Sequence, residues 1–353
     1  MSPPGLEQPF VVGSVKTKAG EVPQVSSTLR LVDHWGTFKA RWGIGRMNYR
    51  VDPGLYAIGN PNERSPVLAT ANYKMSFDNL REAIPGRDAW ILVLDTRGIN
   101  VWCAAGKGTF GTAELVARIE SSGLSQVVSH REMILPQLAG PGVSAHLVKK
   151  LSGFKVIYGP IRAMDLPVFW EKGFRATPDM RLKTFTIWER TVLIPVEVVG
   201  ALKWALVVLP VFFLVDSIWG AGGFSANAVR QGLYSVLAIL MAIFSGAVLT
   251  PLLLPWLPCR AFSLKGLILG LVTTLFFVVS RWGNVDTWSL RLETAAWFLL
   301  IPAISAYLAM NFTGSSTYTS LSGVKKEMHW ALPLQIGAGS LGLVLWIGSH
   351  LIS

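Results

Sequence analysis

The chain has 353 residues, 51% of them hydrophobic, and a mean hydropathy of +0.43. This composition is too apolar for an ordinary soluble enzyme. The net charge of +11 is spread over the chain without a run of five basic residues, which argues against nucleic acid and fits attraction to anionic lipid headgroups. The two cysteines, Cys103 and Cys259, are far apart in sequence. A disulfide framework and a cysteine-based zinc or iron–sulfur site are therefore not expected.

The N-terminal half has the pattern of an α/β domain. Residues 1–45 predict a leader with one or two strands, and the absence of a signal-peptide core predicts that this half stays in the cytoplasm. Residues 46–180 predict one domain, in which short apolar runs alternate with segments of helical length. The predicted strands are 66–70, 89–96, 126–129 and 155–160; the predicted helices are 101–107, 112–121, 143–151 and one that begins near Ser76. This order indicates a Rossmann-like fold with a parallel sheet.

Ligands of such sheets bind beyond the carboxyl ends of the strands. The predicted strand ends place Thr70, residues 98–107, Ser129 and residues 159–161 at that edge. These positions are the first candidates for a binding site.

One segment at this edge has a composition suited to ligand binding: Asn100-Val101-Trp102-Cys103-Ala104-Ala105-Gly106-Lys107. Asn100 is a suitable N-cap, and a helix over 101–107 then has Cys103 in its first turn, where free N–H groups and the helix dipole favour a thiolate. The small residues at 104–106 would allow a flat, bulky ligand to lie against the helix. A lone cysteine in apolar surroundings is more often a small hydrophobic residue, so both interpretations stay open at this point.

This octapeptide resembles the cap helix of the corrinoid protein of the microbial mercury-methylation pair, whose hallmark is Asn-(Val/Ile)-Trp-Cys-Ala-Ala-Gly-Lys. Residues 46–175 also resemble the corrinoid-binding domain of the large subunit of the corrinoid iron–sulfur protein of acetyl-CoA metabolism, through the segments 53–61 and 65–73. That second family carries an iron–sulfur segment and a barrel domain. Here a hydrophobic tail follows instead.

The resemblance implies a cobalamin-type corrinoid with Cys103 as an axial cobalt ligand and as the catalytic residue. It implies a corrinoid-dependent methyltransferase that transfers a methyl group from methyl-cobalt(III) to Hg(II), giving methylmercury. The residues expected to bind the cofactor are Thr70, Asn72, Ser76, Asn100, Val101, Trp102, Cys103, Ala104, Ala105, Gly106, Lys107, Ser129, Gly159 and Pro160.

The partners that the resemblance implies are a ferredoxin-like iron–sulfur protein, which delivers electrons and Hg(II), and a methyl donor system linked to methyltetrahydrofolate. Two other functions stay open. One is a membrane-anchored corrinoid methyl carrier of one-carbon or acetyl-CoA metabolism with an acceptor other than mercury. The other is a membrane transporter with a regulatory α/β domain.

Common nucleotide and metal motifs do not fit. The string Gly106-Lys107-Gly108-Thr109-Phe110-Gly111 has the glycine spacing of a dinucleotide site, but about ten residues separate it from its strand. A phosphate-binding P-loop also fails, because Gly108 follows Lys107 where Ser or Thr is needed. Asp33-His34-Trp35-Gly36 lacks the Asp-x-His-x-x-Gly spacing by which many cobalamin enzymes supply a histidine to cobalt.

The C-terminal half predicts a multi-pass inner-membrane protein with its α/β domain in the cytoplasm. After a linker at 181–197, residues 198–353 contain five apolar stretches of spanning length: 198–219, 232–256, 264–282, 292–310 and 331–351. Tryptophans at 219, 256, 282 and 330 are expected at the interfaces, and the charges of Lys203, Asp216 and Glu293 near span ends.

Two loops between the spans carry open alternatives. Cys259 is interpreted as an incidental loop thiol, with metal delivery as the less favoured alternative. Residues 311–328 predict a long, hydroxyl-rich cytoplasmic loop, either a solvated connection or a docking site for a partner.

Overall fold

The computed structural model describes residues 3–219, 223–279, 287–316 and 321–352. The chain divides into two compact units, the first formed by Met1–Ala40 and Ile44–Lys183 and the second by Arg41–Gly43 and Thr184–Ser353. Each unit is described by itself.

The first unit is a seven-stranded sheet with helices. Its strands are β1 Val11–Thr17, β2 Gly20–Val25, β3 Gly54–Ile58, β4 Val67–Ala71, β5 Ala89–Leu94, β6 Glu132–Leu135 and β7 Lys155–Tyr158. Its helices are α1 Leu31–Arg41, α2 Lys74–Glu82, α3 Val101–Lys107, α4 Thr112–Ser121, α5 Leu124–Val127, α6 Ala145–Ser152 and α7 Leu166–Glu171. Short 3-10 turns occur at Arg46–Asn48, Gln137–Ala139, Ala163–Asp165 and Asp179–Arg181.

The strand order is β1-β2-β3-β5-β4-β6-β7. The pairs β2–β3, β4–β5, β4–β6 and β6–β7 are parallel, whereas β1–β2 and β3–β5 are antiparallel. The predicted parallel sheet is therefore confirmed for β4 to β7, and the whole sheet is mixed. Because β4, β5, β6 and β7 run in the same direction, their carboxyl ends share one edge.

The central strands are buried along their whole length. On β5 the side chains of Trp90, Leu92 and Leu94 pack in one hydrophobic core, and those of Ile91 and Val93 pack in the core on the opposite face. A strand covered on both faces needs apolar residues at every position, which explains the continuous run in the sequence.

Two parts of the sequence prediction change in the structure. The strand predicted at 126–129 is wrong: α5 occupies Leu124–Val127, and β6 follows at Glu132–Leu135. The four-residue apolar run was too short to distinguish a strand from a buried helical turn, and Gly123, with φ of 61°, begins the turn. In addition, the leader contributes β1 and β2, which belong to the same sheet as the rest of the domain.

The second unit is helical. Its helices are α8 Ile187–Thr191, α9 Ile194–Ile218, α10 Phe224–Asn227, α11 Leu233–Ile243, α12 Thr250–Leu253, α13 Phe262–Val279, α14 Trp288–Asn311 and α15 Leu321–Leu351, with π-helical turns at Ala228–Gly232 and Phe244–Leu249 and a 3-10 turn at Phe312–Ser315. Among the described residues, five segments are long and apolar enough to cross a membrane: Ile187–Ile218, Phe224–Leu253, Phe262–Val279, Trp288–Gly314 and Ser322–Leu351. The prediction of five candidate spans is confirmed.

Several details of this unit differ from the sequence prediction. The loop predicted at 311–328 is largely helical. Asn311 ends α14, a 3-10 turn follows at Phe312–Ser315, and α15 begins at Leu321. Residues 317–320 lie outside the described residues. Asp216, expected near a span end, lies two residues before the end of α9 and is buried, with its Oδ1 2.8 Å from His350 Nε2. Trp282 lies outside the described residues. Cys259 is exposed, in agreement with a loop thiol.

Candidate functional site

Helix α3 has the predicted bounds and the predicted cap. Asn100 is extended, and its Oδ1 accepts a hydrogen bond from the backbone N–H of Cys103 at 2.9 Å. Gly108, with φ of 80°, ends the helix in the left-handed conformation that glycine tolerates best. Cys103 is half-buried in the first turn, where its backbone N–H is held by the cap, and it is not among the residues that line the cavity described below.

The loop that leads into α3 is organised by one buried amide, that of Asn72. Its Oδ1 accepts hydrogen bonds from the backbone N–H groups of Thr96 and Gly98, both at 3.0 Å, and its Nδ2 donates to Asp95 Oδ1 at 3.1 Å. The Thr96 hydroxyl is 2.9 Å from the same Oδ1 and 2.6 Å from the carbonyl oxygen of Ile99. Asn72 was predicted to bind the cofactor; the structure uses its side chain to hold residues 95–99.

A cavity of about 280 Å³ lies at the carboxyl ends of β4, β6 and β7. Seven of the predicted site residues line it: Thr70, Ser76, Asn100, Val101, Trp102, Gly159 and Pro160. The remaining lining residues are Leu68, Ala69, Asn79, Leu80, Ile134, Leu135, Pro136, Leu138, Ile161, Ala163 and Leu166. The sequence did not predict the lining residues between 134 and 138, because the strand predicted at 126–129 lies several residues before the actual β6.

The two alanines after Cys103 have a structural role. Ala104 and Ala105 are buried in the hydrophobic core of the sheet, so they face the protein, whereas Gly106 and Lys107 are exposed. Residue 142 packs closely against this side of the helix: a Cβ at Gly142 would lie 3.0 Å from the Ala105 Cα and 2.2 Å from the Phe110 carbonyl oxygen. Both alanines therefore contribute to the core of the first unit, and contact of a ligand with residues 104 and 105 stays a prediction.

Ser129 lies on the wrong side of β6 for this site. It precedes the strand, and its N–H and hydroxyl both donate to the carbonyl oxygen of Glu63, at 2.8 and 3.1 Å. The prediction that Ser129 follows a strand, and so faces the ligand edge, is wrong for the same reason as the strand prediction.

Cys103 is the candidate metal ligand of this region by its chemistry. The described ranges, 3–219, 223–279, 287–316 and 321–352, contain no group of three His, Cys, Asp or Glu side chains that could hold a metal ion by themselves. Near the cavity, burial raises the pKa of Tyr158, whose hydroxyl donates to the Val143 carbonyl oxygen at 2.7 Å. The site therefore offers one soft donor, a few polar groups and an apolar wall.

Fold and site together define an α/β domain with a ligand cavity at the carboxyl edge of its parallel strands, joined to a helical unit with five candidate membrane spans. Comparison with known proteins narrows the class of the first unit. Residues 44–168 match the family model of the CO dehydrogenase/acetyl-CoA synthase delta subunit.

The same region is similar to gamma subunits of the acetyl-CoA decarbonylase/synthase complex. The protein of Methanopyrus kandleri is 34% identical over 124 residues, which are 35% of this chain and 26% of the relative. The protein of Methanocaldococcus jannaschii is 40% identical over 91 residues, or 25% of this chain and 19% of the relative. The protein of Archaeoglobus fulgidus is 29% identical over 131 residues, which are 36% of this chain and 27% of the relative. The chain thus spans about a quarter of the length of these relatives.

Proposed function

We propose that the chain is a membrane-anchored, corrinoid-dependent methyl-transfer protein whose first unit binds the corrinoid beside α3. The observation that carries the proposal is Cys103 itself: a half-buried thiol in the first turn of a capped helix, directly after three residues that line the cavity. In this proposal Cys103 is the residue of the chain that would ligate cobalt. The five candidate spans anchor the protein in the inner membrane, with the first unit in the cytoplasm.

The cavity fits part of such a group. Its volume of about 280 Å³ lies just below the range of small-molecule pockets, so a large macrocycle would be only partly enclosed. Thr70, Ser76 and Asn100 offer polar groups, while Gly159 and Pro160 leave the β7 edge without large side chains. These residues would hold the corrinoid, which supplies a transferable methyl group on its cobalt when bound.

The chain's own contribution is to hold the sulfur in place. The Asn100 cap fixes the backbone of Cys103, and the Asn72 network fixes the loop before the cap. A thiolate is a strong, soft donor, and the groups behind a metal ligand set its orientation and basicity. A histidine at this position would be a weaker electron donor, so a cysteine would better support the methyl-transfer chemistry that a bound corrinoid would supply.

The methyl acceptor has two candidates. The comparisons support a methyl carrier in one-carbon metabolism, because the relatives are subunits of the acetyl-CoA decarbonylase/synthase complex. Transfer to Hg(II) is supported by a separate observation, the complete eight-residue string 100–107 around Cys103. For either acceptor we propose a ferredoxin-like iron–sulfur partner that supplies electrons and a methyltetrahydrofolate-linked methyl donor. With mercury, the same partner would also deliver Hg(II).

Cobalt analysis of the purified full-length chain is the first test. We expect bound cobalt, and ultraviolet–visible and EPR spectra that change in Cys103→Ala but not in Cys259→Ser, the matched variant at the exposed loop thiol. A chain without cobalt would favour the transporter alternative. Cobalt spectra that are unchanged in Cys103→Ala would refute ligation by sulfur.

A second assay separates the acceptors. Cells or membranes supplied with Hg(II) are expected to form methylmercury with the wild type and none with Cys103→Ala, whereas Cys103→His should retain corrinoid but lose most of the transfer. Turnover of cobalt-bound methyl without methylmercury would instead favour the carrier in one-carbon metabolism.

A further inference from the structure

Helix α1 has its apolar side chains on the face that points away from the domain. Asp33, Gly36 and Ala40 face inward: Asp33 and Ala40 are buried, and a Cβ at Gly36 would lie 2.7 Å from the ring of Tyr49. The opposite face carries Leu31, Trp35 and Phe38, spaced by four and three residues and therefore on one stripe. This arrangement is the reverse of an ordinary surface helix.

The outer stripe, as we name Leu31, Trp35 and Phe38, is well exposed and ordered. Leu31 is 86% exposed, Trp35 59% and Phe38 46%, and the rings of Trp35 and Phe38 stack with centroids 5.1 Å apart. Further exposed apolar side chains stand nearby in sequence, at Val32, Ile44 and Met47. A contiguous apolar patch of this kind on a folded domain indicates an interaction surface.

The charges around the outer stripe are positive. Residues 26–50 contain five basic side chains, which are Arg30, Lys39, Arg41, Arg46 and Arg50, and one acidic side chain, Asp33. Asp33 does not offset them at the surface, because it is buried in ion pairs with Lys74 and Arg81, at 2.8 and 3.0 Å. On the helical wheel of α1, Lys39 lies on one side of the stripe and Arg41 on the other, and the exposed Arg30 directly precedes the helix.

We propose that the outer stripe is a docking surface for an anionic lipid bilayer. Aromatic and aliphatic side chains flanked by Lys and Arg are typical of helices that lie in the headgroup region, and the flanking cations are attracted to acidic lipids. The proposed membrane anchor also keeps the first unit close to a bilayer. The first unit ends at Lys183 and the first candidate span begins at Ile187, so about 15 Å of extended chain is the longest possible link between them.

Tethering makes a weak surface affinity sufficient. A link this short keeps the outer stripe at a high effective concentration near the membrane, so a few apolar side chains and cations can hold it there. The surface would then fix the orientation of the α/β domain. This inference requires the membrane anchor but no bound corrinoid, so it stands or falls independently of the proposed cofactor.

The test uses the full-length chain in vesicles of phosphatidylcholine with or without phosphatidylglycerol. A single fluorescent label is attached at Leu31→Cys in a Cys103→Ala, Cys259→Ser background, and quenching by brominated lipids is measured. The matched control is Met164→Cys, an apolar residue of the same unit that is 83% exposed. Because Leu31 and Met164 are both exposed, neither substitution opens a cavity in the core.

We expect the label at position 31 to be quenched at least about twofold more than the label at 164 in vesicles with phosphatidylglycerol. The difference should shrink without the acidic lipid and in the variant Lys39→Glu, since the cations would lose their partners. Equal quenching at both positions would overturn the proposal. The proposal would also be overturned if brominated lipids did not quench the label at position 31 and an added ferredoxin-like protein shielded it instead.

Discussion

The buried amide of Asn72 gives a prediction that can be worked out from the geometry. In Asn72→Ala the backbone N–H groups of Thr96 and Gly98 lose their acceptor, whereas the Thr96 hydroxyl keeps the Ile99 carbonyl oxygen at 2.6 Å. A buried donor left without a partner costs about 1–3 kcal/mol. Two such donors, partly relieved by water, should weaken the loop over 95–99 by roughly 2–4 kcal/mol.

Hydrogen exchange of the full-length chain, followed by mass spectrometry, measures this loss directly. A free-energy change of 2–4 kcal/mol corresponds to about 30- to 700-fold faster exchange when exchange follows the opening equilibrium. The effect should be confined to peptides that cover residues 95–107. It should extend into α3, because Asn100 caps that helix directly after the loop.

Two control variants test the reasoning. Asn79→Ala replaces an exposed asparagine on α2 that lines the same cavity, and it should leave exchange over 95–107 unchanged. Asn72→Asp keeps an acceptor for both N–H groups but sets a second carboxylate beside Asp95, so an intermediate effect is expected. If Asn72→Ala exchanged no faster than Asn79→Ala in this region, the assigned role of Asn72 would be refuted.

Three further predictions concern other parts of the first unit. Gly142→Ala should displace α3 and lower the cobalt content of the purified chain, because its Cβ would lie 2.2 Å from the Phe110 carbonyl oxygen; a normal content would show that the loop can yield. Ser129→Ala should leave cobalt content and spectra unchanged, since Ser129 lies on the amino side of β6; a loss would place it back in the site. Burial alone would raise the pKa of Asp33, but Lys74, the Arg30 N–H and Arg81 lower it to about 2. Because the pKa of Asp33 lies below the ordinary 3.8, the interactions of its carboxylate contribute about 2 kcal/mol to the free energy of unfolding above pH 4. This contribution is lost as pH falls through about 2. Exchange in α1 should show this loss in the wild type and a flatter dependence in Asp33→Asn; identical profiles would exclude the carboxylate as the cause.

The sequence was sufficient where a pattern was local and strong. Helix α3 and helix α4 have the predicted bounds, and β5 was recognisable from its uninterrupted apolar run. The five candidate spans follow from hydropathy alone, since a spanning helix needs about 20 apolar residues regardless of its neighbours. The Asn100 cap is also local, because the donor lies only three residues away.

The sequence was insufficient where a role depends on distant residues. The antiparallel pairing of β3 with β5 requires contacts between segments about 30 residues apart, and no local pattern specifies it. Gly142 has no room for a side chain because it packs against the backbone of Ala105 and Phe110, more than thirty residues earlier in the chain. Asn72 likewise looks like any polar residue at a strand end, and only its contacts with residues 95–98 show that it positions the loop.

The buried ion pairs of α1 connect residues that precede the matched segment with the segment itself. The segment similar to acetyl-CoA decarbonylase/synthase subunits begins at residue 44 and contains all the cavity-lining residues. Asp33 lies before that segment, yet its carboxylate pairs with Lys74 and Arg81 of α2, whose Ser76 and Asn79 line the cavity. Asp78 of α2 also pairs with both cations, at 2.6 and 2.8 Å, so Asp33 supplies the second carboxylate of a buried four-residue cluster. Because removing one member of a buried ionic cluster is destabilising, α1 is not a passive extension of the domain. The same helix that presents the outer stripe to the surface thus supports the wall of the candidate site, and a change in one is expected to reach the other through Asp33.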